Sequence, residues 1–374
     1  MIYVVMPGDN VDSIAAAFGI YAEQLVYDNQ IAYPYALAVG QALYIRNGYD
    51  RTRSINVNGY AYPFINETIL DETLEYLDDL SIFSYGFTAA GELIPPFVSD
   101  DFMIEAANET GVRAILTLTP FDVNGQFNNN LISAVVNNPE ASENLIEELL
   151  AEVSGRGFNG VDVDFEFILA DDRDNFTTFV ARLTERMNEN GYTVSVALAP
   201  KVRSDQPGLL YEGKDYGGLG AAANSVLLMT YEWGYTYSPP MAVAPINRVR
   251  EVVEYAVTEI PVSKIDLGIP NYGYDWPLPY ERGVTKARTI GNIEAVEIAV
   301  RYGATIMFDE TAQSPFFNYQ DDTGVEHEVW FEDVRSMRAK FSLVSEYNLR
   351  GVGYWQLMRL FRANWLLLSD TFIL

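Results

Sequence analysis

Three acidic residues alternate with apolar ones in the segment FNGVDVDFEF, residues 158–167. In a β-strand every second side chain points to the same side, so Asp162, Asp164 and Glu166 would project together. Successive acids would lie only about 6 to 7 Å apart at their α-carbons, and repulsion between their charges favours a shared proton. At least one acid should therefore be protonated near neutral pH, which is what a general acid requires.

The apolar members of the same segment, Val161, Val163, Phe165 and Phe167, indicate where it lies. They would pack under helices if the segment is one strand of a closed parallel barrel, and the acids would then line the interior toward the C-terminal mouth. Barrel enzymes place their chemistry at that mouth. The alternative is an amphipathic strand with a solvated acidic face, although the strands of α/β folds are usually covered on both sides.

The composition limits the chemistry that is available. The chain of 374 residues contains no cysteine and one histidine, His327, which excludes thiolate nucleophiles, disulfides and multi-histidine metal sites. Acid–base work therefore falls to carboxylates and tyrosines, and we expect His327 to be structural or superficial. Neither a cofactor nor a metal is expected, because the acidic runs at 171–174 and 320–324 are typical of solvated turns.

The charge and the apolar runs restrict the partners. A balance of 24 Lys and Arg against 52 Asp and Glu gives a net charge of -28, which repels phosphate backbones, so no nucleic acid is expected. No stretch reaches the roughly 18 apolar residues that span a bilayer, and the opening MIYVVMPGDN does not have the pattern of a signal peptide. We expect no membrane partner, no signal peptide and a monomer.

Eight strand-like segments alternate with helix-like ones from residue 55 onwards. This alternation predicts an α/β fold with a closed (β/α)₈ barrel, the TIM barrel, which needs about 250 residues. After the seventh strand a helix at 293–302 and short β-like pieces predict a small α+β insertion at about 271–330, forming one wall of a groove. The predicted strands are residues 55–62, 80–87, 113–119, 160–167, 193–199, 225–231, 264–270 and 351–357.

The first 46 residues predict a small βααβ unit, followed by a linker at 47–54 and a larger domain at 55–374. Through PGDN, SIAAAFG and VGQALYI the unit resembles a lysin motif (LysM) module. The resemblance implies binding to glycans that contain N-acetylglucosamine. A generic α/β cap with the same hydrophobic periodicity is the alternative.

The stretch NGVDVDFE, residues 159–166, resembles the fourth-strand signature of glycoside hydrolase family 18, D-x-x-D-x-D-x-E, with Asn159 in place of the first acid. The resemblance implies that Glu166 protonates the glycosidic oxygen. It also implies that Asp164 orients the 2-acetamido group of the substrate, and that Asp162 lies behind Asp164 and shares a proton with it. The implied mechanism retains the anomeric configuration, because the acetamido oxygen is the nucleophile.

Two further segments support this resemblance. MTYE, residues 229–232, is similar to the sixth-strand element of the family, which implies that Tyr231 hydrogen-bonds the acetamido carbonyl and that Glu232 replaces the usual Asp or Asn as a substrate contact. GYW, residues 353–355, ends the eighth strand where the family keeps a tryptophan under the reacting sugar. Trp355 is therefore a candidate for binding that sugar.

Longer stretches, such as IPNYGYDW and NWLLLSDTF, resemble the LysM-bearing spore-cortex and spore-germination hydrolases of family 18. The third strand lacks the S-x-G-G element usual in chitinases, which favours cortex glycan over chitin. The implied function is a β-N-acetylglucosaminidase acting on peptidoglycan at the spore coat, the cortex or the cell wall. A chitinase or chito-oligosaccharide hydrolase and a non-catalytic lectin are the alternatives. Tyr60, Tyr274 and Trp276 are further candidates for sugar contacts, each of which could equally be a packed wall residue.

Overall fold

The structure, a computed structural model, describes residues 1–46, 48, 51 and 53–374. Part of the predicted linker at 47–54 therefore lies outside the described residues. The N-terminal unit has the predicted βααβ order, and its two strands pair antiparallel. Asn10 caps the first helix, because its side-chain oxygen accepts a hydrogen bond from the Ser13 backbone N–H at 2.9 Å. The elements are β1 (Ile2–Val4), α1 (Val11–Phe18), α2 (Ala22–Asp28) and β2 (Ala42–Tyr44).

Parallel strands then close into the predicted barrel, since its first strand pairs with both the second and the last. Each barrel strand overlaps one of the predicted segments, which confirms the TIM-barrel fold. A two-residue strand, β5 (Leu93–Ile94), pairs antiparallel with the end of the second barrel strand. The barrel strands are β3 (Asn56–Ala61), β4 (Asp79–Phe87), β6 (Arg113–Leu118), β7 (Gly160–Val163), β8 (Thr193–Leu198), β9 (Ser225–Leu228), β10 (Ile265–Pro270) and β16 (Gly351–Trp355).

Helices surround the barrel and bury its outer face in one large hydrophobic cluster. Val161 and Val163 have no exposed surface, which places the apolar side of β7 against those helices as predicted. No helix in the described part of the chain is long and apolar enough to cross a membrane. The helices are α3 (Glu67–Leu74), α4 (Asp101–Thr110), α5 (Asn130–Val136), α6 (Pro139–Arg156), α7 (Arg173–Glu189), α8 (Tyr216–Ala222), α9 (Ile246–Glu259), α11 (Val334–Glu346) and α12 (Arg362–Thr371).

Between β10 and α11 the chain forms a separate antiparallel sheet of five strands with one helix, in the strand order β12-β11-β15-β14-β13. The periodicity of the sequence located its helix and the strands β13 and β15, whereas β11, β12 and β14 were not predicted. This sheet is the α+β insertion. Its elements are β11 (Gly273–Pro277), β12 (Arg288–Ile290), α10 (Asn292–Tyr302), β13 (Met307–Asp309), β14 (Ser314–Gln320) and β15 (Glu326–Trp330).

The N-terminal unit packs against the last helix of the barrel. The Tyr44 hydroxyl donates to a carboxylate oxygen of Asp370 at 2.8 Å, and Arg46 pairs with the same carboxylate at 2.7 Å. The Arg362 guanidinium lies 4.0 Å from the centre of the Tyr27 ring, a cation–π contact. These polar contacts dock the unit on α12.

A glycine makes room for a second contact, between the N-terminal unit and the insertion. Gly40 has φ +83, and a Cβ atom at this position would lie 1.9 Å from the Ile306 carbonyl oxygen. The backbone N–H of Ile306 donates to the neighbouring carbonyl of Val39 at 2.8 Å. Only a residue without a side chain permits this approach at a positive φ. The N-terminal unit therefore contacts both α12 of the barrel and the insertion.

Candidate active site

The three acids do not all lie within one strand. β7 ends at Val163, so Asp162 is in the strand, whereas Asp164 and Glu166 follow its end. Asp164 still donates its backbone N–H to the Leu118 carbonyl at 2.9 Å, but β6 ends at that residue. The predicted strand at 160–167 is therefore too long. The shorter strand places Asp164 and Glu166 at the C-terminal mouth of the barrel.

Asp162 is completely buried and is held by two hydroxyl groups. Tyr60 donates to one carboxylate oxygen at 3.0 Å, and Ser195 on β8 donates to the other at 2.6 Å. Burial raises the pKa of Asp162, and the two hydrogen bonds oppose that rise. Tyr60 is itself only 2% exposed, so this candidate sugar contact instead lies behind Asp162.

Asp164 is 7% exposed, and its Oδ1 has no hydrogen-bond partner among the described residues. Burial raises its pKa well above the ordinary value, and repulsion from Glu166 and Asp162 adds to that rise. No hydrogen bond joins the carboxyl groups of Asp164 and Asp162 in the described structure, where the two Asp162 oxygens accept hydrogen bonds from the hydroxyls of Tyr60 and Ser195. The predicted shared proton therefore remains a prediction.

Glu166 is partly open to solvent, unlike the two aspartates. Burial raises its pKa as well, so the protonated form persists to higher pH than it does for an ordinary glutamate. The preceding residue, Phe165, is fully buried and packs on Phe87, with ring centres 5.4 Å apart, and on Phe176 at 5.7 Å. This packing fixes the backbone that carries Asp164 and Glu166.

A buried lysine beneath the acids was not predicted from the sequence. Lys214, in the loop between β8 and α8, has no exposed surface, and its ammonium group donates to the backbone carbonyls of Phe165 and Ala197. Nothing in the sequence distinguishes Lys214 from a surface lysine. It reaches the site only because the loop folds back under the end of β7.

Asn159, which stands at the first acidic position of the family signature, has a structural contact. Its side-chain oxygen accepts a hydrogen bond from the Ala114 backbone N–H at 3.0 Å. Asn159 therefore joins the start of β7 to β6.

Tyr231 follows β9 and lies half-buried at the same mouth. Burial raises its pKa well above the ordinary value, with further contributions from Asp164 and Glu166, so its hydroxyl remains a hydrogen-bond donor. Gly268 on the next strand provides the space for the ring, because a Cβ atom there would lie 2.9 Å from it. The Tyr231 ring is thus positioned by β10.

Glu232 adopts a left-handed backbone conformation, with φ 66, that turns the chain after Tyr231. Its carboxylate accepts a hydrogen bond from the Tyr272 hydroxyl at 2.6 Å and another from Tyr274 at 3.0 Å. Tyr272 was not among the predicted site residues, although the alternation of Tyr272, Tyr274 and Trp276 could have indicated it. Glu232 therefore joins the barrel mouth to β11 of the insertion.

Trp355, at the end of β16, lies at the centre of an aromatic cluster. Its ring centre is 5.0 Å from that of Phe83, 5.8 Å from that of Tyr60 and 6.0 Å from that of Tyr62. The tryptophan is partly exposed. A pocket of about 240 Å³ adjoins this cluster and shares Tyr62 and Phe83 with it.

Trp276 and His327, which the sequence analysis also considered, do not lie at the mouth of the barrel with the acids. Trp276 is fully buried and donates its indole N–H to the Ser238 carbonyl at 2.7 Å, so it offers no exposed surface to a sugar. His327 lies in the insertion, where its Nδ1 is 2.7 Å from an Asp275 oxygen and its ring stacks on Tyr319. This position fits the structural role predicted for His327.

The sequence relationships of the chain agree with this geometry. Residues 119–359 match Glycosyl hydrolases family 18, and residues 3–46 match the LysM domain. The chain belongs to glycoside hydrolase family 18. Both matches imply binding to glycans that contain N-acetylglucosamine.

Relatives of this family 18 enzyme are similar over most of its length. A cortical fragment-lytic enzyme of Bacillus subtilis is 40% identical over 327 residues, which cover 86% of this chain and 75% of the relative. The crystal structure of the Bacillus megaterium spore cortex-lytic enzyme SleL superposes with a TM-score of 0.93 at 34% identity, covering 99% of this chain and 97% of that one. A Chromobacterium violaceum chitinase superposes with a TM-score of 0.79 at 27% identity, covering 85% and 98%.

Proposed function

We propose that this enzyme hydrolyses β-1,4 linkages at N-acetylglucosamine in spore-cortex peptidoglycan. The observation that carries the proposal is the pair of carboxyl groups at the barrel mouth. Asp164 is buried with an unpartnered oxygen, and Glu166 beside it is partly open to solvent and has a pKa raised by burial. The similarity to cortical fragment-lytic enzymes over most of the chain supports cortex peptidoglycan as the substrate.

In the proposed reaction Glu166 donates its proton to the glycosidic oxygen, and the acetamido oxygen of the substrate attacks the anomeric carbon. The unpartnered oxygen of Asp164 accepts a hydrogen bond from the acetamido N–H. The negative charge of Asp164 also stabilises the positive charge of the oxazolinium intermediate. Tyr231 donates its hydroxyl to the acetamido group. Asp162, held by Tyr60, supports Asp164 from behind.

The pKa shifts set the direction of the pH dependence. Activity falls as the pH rises through the raised pKa of Glu166, because the general acid loses its proton. Activity falls as the pH drops, because Asp164, whose pKa is also raised, must carry a negative charge in the transition state. We therefore expect a bell-shaped profile.

We assign glycan binding and glycan cleavage to the two predicted domains. Residues 1–46 bind the glycan as a LysM module, and the barrel at 55–374 with its insertion at about 271–330 cleaves it. The contacts of Tyr44 and Arg46 with Asp370 hold the module in a fixed position against the barrel. The protein would then be localised to the spore cortex or the cell wall by its ligand.

Digestion of purified spore cortex tests the function. Cortex, pre-fragmented cortex and chitin are incubated with the enzyme, and the released products are identified by mass spectrometry. We expect muropeptides with N-acetylglucosamine at the new reducing end, formed first as the β-anomer by NMR. Faster release from chitin would instead identify a chitinase, and binding without products would identify a lectin.

Trp355→Ala tests the proposed floor of the sugar site. Loss of the exposed ring surface should raise KM by roughly tenfold, which corresponds to about 1.4 kcal/mol of binding free energy. Trp355→Phe, which keeps an aromatic ring, should retain most of the affinity. Steady-state kinetics on a chromogenic N-acetylglucosaminyl oligosaccharide measure the effect, and an unchanged KM in the alanine variant would contradict a role in sugar binding.

A further inference from the structure

Lys214 occupies an environment that is costly for an ammonium group. It is fully buried, and its Nζ lies 3.1 Å from the Ala197 carbonyl oxygen, within hydrogen-bonding distance of the Phe165 carbonyl, and 5.7 Å from the centre of the Phe176 ring. A buried positive charge is retained only where negative groups compensate for its lost hydration. The compensating groups must therefore lie close to Lys214.

The three acids at the end of β7 are those groups. Burial lowers the pKa of Lys214 to about 8, and the charges of Asp164, Glu166 and Asp162 oppose that fall. The attraction is mutual, because Lys214 lowers the pKa of each of the three acids against the rise that burial causes. The geometry agrees, because Phe165, whose carbonyl accepts a hydrogen bond from Lys214, stands between Asp164 and Glu166 in the chain.

The loop that carries Lys214 is held in place by a second buried lysine. Lys201 is 1% exposed, and its Nζ donates to the backbone carbonyls of Lys214 at 2.9 Å and Ser204 at 3.0 Å. The residue before Lys214, Gly213, packs closely against Ile168. A Cβ atom on Gly213 would lie only 2.4 Å from the Ile168 carbonyl oxygen, so no larger residue fits there. The loop is therefore clamped against the segment that bears Asp164 and Glu166.

We propose that Lys214 is a positioning residue of the reaction, which holds the backbone beneath Asp164 and Glu166 and supplies their counter-charge. When Glu166 transfers its proton to the leaving oxygen, it becomes negative beside Asp164. Two carboxylates in this water-poor site repel each other strongly, and the ammonium group of Lys214 offsets that repulsion. The inference rests on the proposed roles of Asp164 and Glu166.

The test is Lys214→Met, assayed on a chromogenic N-acetylglucosaminyl oligosaccharide over a range of pH. Loss of the positive charge raises the pKa of both acids, so both limbs of the pH profile should move to higher pH by roughly one unit or more. The value of kcat at neutral pH should fall roughly tenfold, because Asp164 ionises less readily, while KM should change little. Lys214→Arg, which keeps the charge, should restore the position of the limbs.

Lys201→Met is the matched control, because Lys201 lies in the same loop, is equally buried and binds two carbonyls. Its charged neighbours are Arg173, Asp215, Glu259 and Asp205, and none of the three acids is among them. It should lower thermal stability without moving the pH limbs. Equal displacement of the limbs in both variants would assign the effect to loop packing and overturn the proposal.

If circular dichroism shows that Lys214→Met does not fold, Lys214→Gln replaces it, since the amide keeps a donor for the carbonyls and removes only the charge. Two further outcomes are decisive. An active wild type with an unmoved pH profile in the neutral variant would overturn the role of Lys214 alone. A wild type that hydrolyses no N-acetylglucosaminyl substrate would instead refute the proposed function.

Discussion

Glu166→Gln is expected to lower kcat by about 10²- to 10⁴-fold while leaving KM nearly unchanged, because general acid catalysis contributes that much and glutamine cannot donate a proton to the leaving oxygen. The change is nearly isosteric, and Glu166 accepts no hydrogen bond from another described side chain. Packing and substrate affinity should therefore persist. Steady-state kinetics on cortical fragments, with binding of the uncleaved fragment measured by calorimetry, separate the two effects.

The control for this variant is Glu105→Gln, which removes the same charge from an exposed position on α4. It should have wild-type kinetics. A substrate with a good leaving group, such as a 4-nitrophenyl glycoside, needs less protonation, so Glu166→Gln should lose less activity on it. Full turnover of cortical fragments by Glu166→Gln would show that another group is the acid.

The sequence predicted the parts of this molecule that depend on local periodicity. The alternation at 160–167 correctly located a barrel strand and its apolar side, because Val161, Val163 and Phe165 are all fully buried. The end of that strand could not be predicted, since it depends on where the neighbouring strand β6 stops. Tyr60, which the sequence offered as either a sugar contact or a packed wall residue, is bound to Asp162, a contact between residues 102 positions apart in the chain.

Contacts between distant parts of the chain account for what the sequence did not indicate. Lys214 lies almost fifty residues beyond Phe165, and only the folded loop brings its ammonium group to that carbonyl. The docking of the N-terminal unit likewise joins Tyr44 to Asp370, at the opposite end of the chain. Residue type and spacing along one segment carry no signal for such pairs.

Asp164→Asn should produce the second large loss of activity, with kcat lowered by about 10²- to 10³-fold, which is the usual effect of removing one preorganised electrostatic group. Asparagine has the shape of aspartate but carries no charge to stabilise a positive intermediate. Loss of the Asp164 charge also removes the repulsion between Asp164 and Glu166, which in the wild type helps to raise the pKa of Asp164, so a negative Glu166 forms more readily. The alkaline limb of the pH profile should move to lower pH, and the acidic limb should weaken.

Asp162→Asn is the comparison for this variant, because Asp162 is fully buried and bound by Tyr60 and Ser195 rather than exposed to the substrate. The decrease in kcat should be smaller for Asp162→Asn than for Asp164→Asn, and the limbs of its pH profile should move less. The two variants are distinguished by the affinity for a thiazoline analogue of the oxazolinium intermediate, measured by competitive inhibition. Asp164→Asn should bind this analogue at least tenfold more weakly than the wild type, because the partner of its ring nitrogen is lost. Equal affinity in Asp164→Asn and the wild type would place the stabilising charge on another residue and would leave Asp164 without the role proposed for it.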